Sequence, residues 1–207
     1  MLRLYWADVS GVSPDQPGEE FTAYRREKLA ALRVPDKRRQ SVGAELLLRQ
    51  ALADAAPGFP WPPEIRAGEY GKPAWNVEGL FFSLSHSGRL AACAVADRPL
   101  GLDLQKPEPY REALARRFFA PEEQAYLLAS ANRDRDFCRI WTMKEAWIKA
   151  VGTGLRTPLS SFSVVGDGRE KLPAAFWQTE LAGCACALCL PGAASAEPDA
   201  IIEKLLP

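Results

Sequence analysis

The stretch that decides the fold runs from Phe81 to Gln105 and has the sequence FFSLSHSGRLAACAVADRPLGLDLQ. Apolar residues alternate with small or polar ones in its first and last parts, and a period of two is typical of β-strands. We therefore predict three strands, over residues 81–86, 90–96 and 100–105. Asp97-Arg98-Pro99 separates the last two and predicts a short hairpin connection between them.

Outside this stretch, helical spacing of apolar residues alternates with further short strands. Helices are predicted over residues 20–32, 35–55 and 110–150, the last with a break near 132–136. Additional strands or short elements are predicted over residues 2–9, 65–70, 162–165, 175–179, 184–190 and 201–206. The order of helices followed by strands occurs twice, so we expect an α+β fold with antiparallel sheets.

Composition excludes several classes of protein. The 26 basic and 26 acidic side chains give a formal net charge of zero, without the dominant basic field of a nucleic-acid-binding surface. No stretch approaches the roughly 18 uncharged apolar residues of a membrane span, and Asp8 interrupts the N-terminal apolar run too early for a secretory signal. We therefore expect a cytoplasmic protein with no membrane or nucleic-acid partner.

The five cysteines show no spacing typical of a disulfide framework. Three of them lie close together in a predicted strand, as Cys184, Cys186 and Cys189, which also allows a metal site. In a strand, however, Cys189 faces away from the other two. We predict reduced thiols that serve as small core residues.

The segment Leu100–Gln105 places its leucines on one face of a strand and Gly101, Asp103 and Gln105 on the other. Asp is depleted in strands, so a carboxylate between leucines needs a partner. Asp103 is either a strand-edge residue that bonds a loop or an oxygen ligand for Mg²⁺. In the second case Gly101 lets a ligand approach the backbone.

The segment Trp141–Lys149, WTMKEAWIK, places Trp141, Glu145 and Lys149 along one stripe of a helix. Glu145 and Lys149 form either a solvated pair or part of a phosphate site. In that site Glu145 would hold a cation while Lys144 and Lys149 contact phosphate oxygens.

Two further polar clusters have alternative interpretations. Residues 83–88, SLSHSG, put three hydroxyls on one strand face beside His86, the only histidine, as either a hydrogen-bonded turn or an anion pocket. Arg25 and Lys28 share a helix face near the basic run 37–39, as either a solvated surface or an anion site. No P-loop, Rossmann glycine pattern, paired-cysteine zinc pattern or nucleophile elbow is present.

Taken together, these segments resemble the Sfp-type 4′-phosphopantetheinyl transferases. The resemblance covers about residues 20–165 and rests on four segments in the family's order: 69–73, 82–88, 101–103 and 141–149. It implies two similar α+β halves related by a pseudo-twofold axis, about residues 1–99 and 100–207, with coenzyme A between them. The implied activity is Mg²⁺-dependent transfer of 4′-phosphopantetheine from coenzyme A to a serine of an acyl or peptidyl carrier protein, releasing 3′,5′-ADP.

The resemblance also implies site residues. The turn beside the adenine of coenzyme A would be formed by Gly71, Lys72 and Pro73. Its phosphates would be contacted by Ser85 and His86, and its 3′-phosphate by Arg25, Lys28 and Arg39. Mg²⁺ would be held by Asp103, Gln105 and Glu145, with Lys144 and Lys149 near the pyrophosphate. Glu145 would take the proton of the serine, either directly or through a metal-bound water.

Gln105 departs from the family pattern, because many members have Glu at this position. We expect a working site with weaker metal binding, and the alternatives are a non-catalytic module that binds coenzyme A or a carrier protein, and a generic Mg²⁺ phosphohydrolase. Residues 110–128, which include Arg116-Arg117-Phe118-Phe119, form either a docking surface for an acidic carrier or a helix packed into the core. A chain that contains both halves is expected to work as a monomer.

Overall fold

The computed structural model describes residues 1–15 and 20–206 and has two similar series of elements. The N-terminal series consists of β1 (Leu2–Asp8), α1 (Ala23–Ala31), α2 (Pro35–Ala55), β2 (Ile65–Ala67), β3 (Pro73–Trp75), β4 (Phe81–Ser87) and β5 (Leu90–Ala96). The C-terminal series consists of β6 (Gly101–Gln105), α3 (Glu112–Phe118), α4 (Pro121–Ala129), α5 (Arg133–Val151), α6 (Gly166–Glu170), β7 (Ala174–Leu181), β8 (Cys184–Pro191) and β9 (Ala200–Glu203). The predicted α+β class is confirmed.

The two main sheets repeat one pairing scheme. The first has the strand order β4-β5-β1-β9 and the second β6-β8-β7. In each, a hairpin (β4–β5 or β7–β8) pairs antiparallel, through its second strand, with the first strand of the series. The last strand, β9, departs from this scheme, because it runs parallel to β1 at the edge of the first sheet.

Two sequence-based predictions of local structure are wrong. Residues 97–99 are not a hairpin, because β5 pairs with β1 and β4 whereas β6 pairs with β8 in the other sheet. Residues 162–165 are not a strand, because their backbone groups bond to side chains. The Phe162 carbonyl accepts from Lys144, and the Val164 N–H donates to Glu123.

The structure has four layers, in the order α2, first sheet, second sheet, α5. One apolar cluster lies between α2 and the first sheet, a second between the two sheets, and a third between the second sheet and α5. Alternate residues of β5 belong to different clusters, with Cys93 and Val95 toward α2 and Ala92 and Ala94 toward the second sheet. Both faces of β5 are therefore buried, which explains why this strand carries no polar residue.

Local sequence signals set the ends of the helices. Thr22 Oγ1 accepts from the Arg25 N–H at 3.3 Å and caps α1, and Asn132 caps α5 through the Arg135 N–H at 3.1 Å. Gly152 ends α5 with a φ of 75°, in the left-handed region that favours glycine.

Gly101 is required by close packing of backbones. A Cβ atom at this position would lie 1.9 Å from the carbonyl oxygen of Ala146 in α5. The close approach expected at Gly101 therefore exists, but a helix of this chain makes it, not a ligand.

The five cysteines are all free and buried, as predicted. Cys184 and Cys186 pack between the two sheets, and Cys189 packs on the opposite face against α5, which confirms the predicted alternation. In the ranges that the structure describes, no helix is long and apolar enough to cross a membrane.

Three serines of β4 join the two sheets, and we call them the serine row: Ser83, Ser85 and Ser87. Their hydroxyls accept hydrogen bonds from the backbone N–H groups of Leu102, Leu104 and Lys106, at 3.0, 3.1 and 2.9 Å. These N–H groups lie on the edge of β6 that does not pair with β8. The serine row therefore supplies the acceptors that a neighbouring strand would otherwise provide.

The serine row predicts a measurable loss of stability. Ser83→Ala removes the acceptor of a buried N–H, which costs about 1–3 kcal/mol and lowers the Tm by several degrees. Thermal unfolding followed by circular dichroism measures the change, with Ser160→Ala at an exposed serine as the control. Equal Tm values for Ser83→Ala and the control would contradict this role.

Candidate active site

A cavity of about 340 Å³ lies where the two series meet. Its walls come from the turn between β2 and β3, from β4 and from α5. Five of the residues predicted for the site line it: Gly71, Lys72, Pro73, Glu145 and Lys149. The fold thus brings together groups that lie more than seventy residues apart in the chain.

Asp103 lies beside this cavity in a network of polar groups. Its Oδ1 accepts from Lys149 Nζ at 2.6 Å and from Ser85 Oγ at 2.9 Å. Lys149 Nζ also donates to Ser85 Oγ at 3.2 Å and to the Leu102 carbonyl at 3.1 Å. The carboxylate is buried, and it has the ion-pair and hydrogen-bond partners that a buried charge requires.

Glu145 faces Asp103 from α5. Burial raises the pKa of the Glu145 carboxyl, the charge of Asp103 raises it further, and Lys149 opposes both effects. Two acids that repel each other in this way have a geometry that favours a cation between them. Two carboxylates suit Mg²⁺, which commonly binds one or two protein carboxylates together with phosphate oxygens and water.

Gln105 is the residue available for a third oxygen. It lies on the Asp103 side of β6 by strand alternation, is half-buried, and lines a neighbouring pocket with Trp141, one helical turn before Glu145. Among the described residues, no three His, Cys, Asp or Glu side chains are placed to hold one metal ion. The donor set is therefore two acids and an amide.

Lys72 reaches the C-terminal series from the β2–β3 turn. Its Nζ donates to the Leu100 carbonyl at 2.9 Å and to the Ala150 carbonyl at 3.4 Å. Burial lowers the pKa of Lys72 to about 8. This ammonium therefore makes backbone contacts across the wall of the cavity.

His86 lies near several cations at the end of β4. His86 is exposed at the surface, but desolvation by the surrounding protein and the charges of Lys37, Lys149 and Arg25 together lower the pKa of its imidazole to about 4. The ring is therefore neutral at pH 7 and can donate one N–H. Lys37 is an exposed residue in the first turn of α2 that belongs to the basic run 37–39 but was not among the expected coenzyme A contacts. Lys37 lies four residues before the buried Ser41, and this spacing indicates that the two side chains share the face of α2 that points toward the interior.

The other N-terminal cations predicted for coenzyme A do not line the cavity. Arg25 is buried and donates to Glu45 at 3.1 Å and to Ser41 at 2.9 Å. Arg39 donates to the Val12 carbonyl and pairs with Asp36. Lys28 is exposed and stacks on the Tyr24 ring, 4.8 Å from its centroid. These side chains have partners within their own series, a feature that helical spacing alone does not reveal.

Lys144 is the clearest correction to the predicted site. It is fully buried, and its Nζ pairs with Glu123 at 2.6 Å and donates to the Phe162 carbonyl at 2.6 Å. The same Glu123 accepts from the Ala120 N–H at the start of α4. Lys144 therefore faces the core and joins α4 to α5, whereas its neighbour Glu145 faces the cavity.

The segment between β6 and α5 packs its aromatic residues inward and exposes its cations. Phe119 is buried, and Phe118 packs edge-on against Trp141. Arg116 is exposed and pairs with Glu112 on the same helix, and Arg117 lies over the Phe118 ring. The aromatic residues thus belong to the core, while the cations remain at the surface.

The raised pKa of Glu145 predicts that Glu145→Gln stabilises the chain without ligands. A carboxyl whose pKa is raised by folding destabilises the fold once it ionises, so removing its charge helps only at higher pH. We expect a Tm increase of about 2–4 °C at pH 8, and a gain that shrinks as the pH falls through the Glu145 pKa. Glu78→Gln, at an exposed loop position, is the control; an unchanged or lower Tm for Glu145→Gln at pH 8 would contradict the geometry.

This chain is similar to a known protein family and to a solved structure. A model of the 4′-phosphopantetheinyl transferase superfamily matches residues 99–196, which include β6, α5 and the acids they carry. The crystal structure of Thermotoga maritima holo-[acyl-carrier-protein] synthase is 23% identical and covers 46% of this chain and 64% of that chain, with a TM-score of 0.39.

Curated relatives match across both series. A 4′-phosphopantetheinyl transferase of Bacillus subtilis is 36% identical over 168 residues, covering 75% of each chain. The 4′-phosphopantetheinyl transferase Sfp of Bacillus subtilis strain 168 is 32% identical over 170 residues, covering 79% of this chain and 76% of its own. With similarity of this extent, and with both acids on the elements that the family model matches, the chain belongs to the 4′-phosphopantetheinyl transferases.

Proposed function

We propose that this chain transfers the 4′-phosphopantetheine arm of coenzyme A to a serine of an apo acyl or peptidyl carrier protein and releases 3′,5′-ADP. One observation carries the proposal. A cavity between the two series joins Lys149 and Glu145 of α5 to the turn 71–73, next to the buried carboxylate of Asp103. Basic groups from both series thus surround a pair of acids, as a cation-bridged pyrophosphate requires.

Asp103 and Glu145 would hold Mg²⁺, with the amide oxygen of Gln105 as a third ligand. Asp103 Oδ2 is available for this role, because it accepts no hydrogen bond within the described chain, whereas Oδ1 is held by Lys149 and Ser85. When bound, Mg²⁺ supplies positive charge that neutralises the pyrophosphate oxygens.

Coenzyme A would lie along the cavity, with its adenine near Gly71, Lys72 and Pro73. Ser85, His86 and Lys149 would contact its phosphates, with Lys37 as an additional cation near His86. A neutral imidazole and an ammonium are both donors to phosphate oxygens, so this end of β4 suits an anion. Lys149 would also stabilise the charge that develops on the leaving 3′,5′-ADP.

Glu145 is the proposed general base. The serine oxygen bonds to the β-phosphorus of coenzyme A, the bond from this phosphorus to the bridging oxygen breaks, and 3′,5′-ADP leaves with the electron pair. Glu145 takes the proton of the serine hydroxyl.

We propose that residues 1–99 and 100–207 form the two halves and that the chain acts as a monomer in the cytoplasm. The repeated strand pairing supports this division, and the return of β9 to the first sheet ties the halves together. Five free, buried thiols suit a reducing compartment.

Transfer is tested by intact-mass spectrometry of purified apo carrier proteins incubated with coenzyme A and Mg²⁺. We expect a mass gain of about 340 Da, as phosphopantetheine transfer requires. Asp103→Asn, which keeps the shape of the side chain but removes its charge, is expected to slow the gain by about 100-fold or more. Carriers whose acceptor serine is replaced by alanine are the control.

The same experiment separates the two alternatives. Coenzyme A binding with no mass gain on any acyl or peptidyl carrier would contradict transfer and favour a non-catalytic binding module, for which Gln105 is the specific support. Cleavage of coenzyme A or release of phosphate without a carrier would favour a phosphohydrolase.

Gln105→Glu is expected to lower the Mg²⁺ concentration that gives half-maximal transfer by several-fold, because it restores a negative charge at the third ligand position. The measurement is a Mg²⁺ titration of the initial rate at saturating coenzyme A. Glu108→Gln, at a half-buried acid nearby, is the matched control for a general change of charge. An unchanged or higher Mg²⁺ requirement for Gln105→Glu would show that this side chain does not face the metal.

A further inference from the structure

Two carbonyls along the outer side of β6 accept from lysines. Serine hydroxyls can accept from the N–H groups of this edge, but carbonyls need donors. Lys149 Nζ donates to the Leu102 carbonyl at 3.1 Å, and Lys72 Nζ donates to the carbonyl of Leu100, the residue just before β6, at 2.9 Å. Two lysines from different parts of the chain thus supply donors to this side of the strand.

Lys72 is held in place by the geometry of its turn. The Gly68 N–H donates to the Lys72 carbonyl at 2.8 Å, and Gly71 adopts a φ of 83° between them. The neighbouring Tyr70 lies under the Arg156 guanidinium, 4.9 Å from its ring centroid. The turn is therefore seated on the segment that follows α5, with the Lys72 side chain directed between α5 and β6.

The two carbonyls that Lys72 binds lie on or next to the two elements that carry the acids. Leu100 lies three residues before Asp103, immediately before β6, and Ala150 lies five residues after Glu145, in the last turn of α5. An ammonium is favoured at the C-terminal end of a helix, where the carbonyls carry partial negative charge. A single side chain thus links the strand of one acid to the helix of the other.

Backbone packing and Lys149 already hold β6 and α5 together. The contact at Gly101 fixes how closely the two elements approach, because their backbones touch there. Lys149 of α5 also donates to the Leu102 carbonyl and to Asp103 of β6. A slide of the helix along the strand would change the separation of Asp103 and Glu145, and the bonds from Lys72 to both elements add to the contacts that oppose it.

We propose that Lys72 is a positioning residue that holds β6 and the end of α5 in register and so sets the geometry of the Asp103–Glu145 pair. The proposal rests on the proposed function, and it gives the Lys72 side chain a role distinct from contact with the adenine. Its main consequence is that loss of the ammonium loosens α5 and weakens cation binding, while affinity for coenzyme A is retained.

The first test uses hydrogen exchange of the chain without ligands. Lys72→Met keeps the aliphatic stem and removes the donors. We expect exchange in peptides covering residues 99–106 and 146–153 to accelerate by about tenfold, the factor typical of losing a charged hydrogen-bond donor. Arg66→Gln, which removes an exposed cation from the same hairpin, is the matched control and should leave both peptides unchanged.

The second test measures the cation directly. Mn²⁺ binding in the presence of coenzyme A, followed by electron paramagnetic resonance, should weaken about tenfold in Lys72→Met. The KM for coenzyme A at saturating Mg²⁺ should stay within about twofold of the wild-type value, because the proposed contact is to backbone and not to substrate. Lys72→Arg keeps a positive charge and donors for both carbonyls. Its hydrogen exchange and its Mn²⁺ affinity should therefore match those of the wild-type chain.

The outcomes separate this proposal from the proposed function. Unchanged exchange in Lys72→Met overturns the positioning role, and so does a raised KM for coenzyme A with unchanged Mn²⁺ binding, which would make Lys72 a substrate contact. If Lys72→Met does not fold, Lys72→Arg carries the test, and faster exchange in that variant overturns the proposal. A wild-type chain that transfers nothing to any carrier refutes the proposed function, whereas the exchange measurement still decides the role of Lys72.

Discussion

The outer edge of β6 is the constraint on which the rest of the structure depends. A strand edge that is buried between layers must find partners for every N–H and C=O group, and no neighbouring strand is available on this side. The serine row serves the N–H groups, and Lys72 and Lys149 serve the carbonyls of Leu100 and Leu102. Since Asp103 lies on the same strand, satisfying this edge also places Lys149 and Ser85 at the carboxylate that we propose as a metal ligand.

In each series a buried ion pair joins the long helix to a shorter one. The long helix carries the acid in the N-terminal series and the cation in the C-terminal series. Arg25 of α1 pairs with Glu45 of α2, whereas Glu123 of α4 pairs with Lys144 of α5. Glu45 also accepts from the Thr22 N–H at the start of α1, and Glu123 accepts from the Ala120 N–H at the start of α4. Charges buried in this way need full sets of partners, so two of the predicted phosphate-binding cations contribute to the scaffold instead.

The candidate site holds charges that destabilise the chain without ligands. Glu145 and Asp103 repel each other, and the cations Lys37, Lys149 and Arg25 lie near His86. Lys149 offsets part of this cost through its bond to Asp103. Acids and cations thus lie close together without neutralising each other completely. This arrangement favours the joint binding of a phosphate ester, which compensates the cations, and a divalent cation, which compensates the acids.

The sequence by itself determined the helices, most of the strands, the opposite faces of Cys186 and Cys189, and the residue types at the motifs, because these depend on neighbours within one or two turns. It placed Asp103 and Glu145 on defined faces of their elements. Only the tertiary structure decided that residues 97–99 cross between sheets and that Phe162 bonds to a lysine. It also decided that Lys144 faces the core while Glu145 faces the cavity. The physical reason is that a cation binds the nearest acid in space, and for Arg25 and Lys144 that acid lies twenty or more positions away in the chain, where no local pattern reveals it.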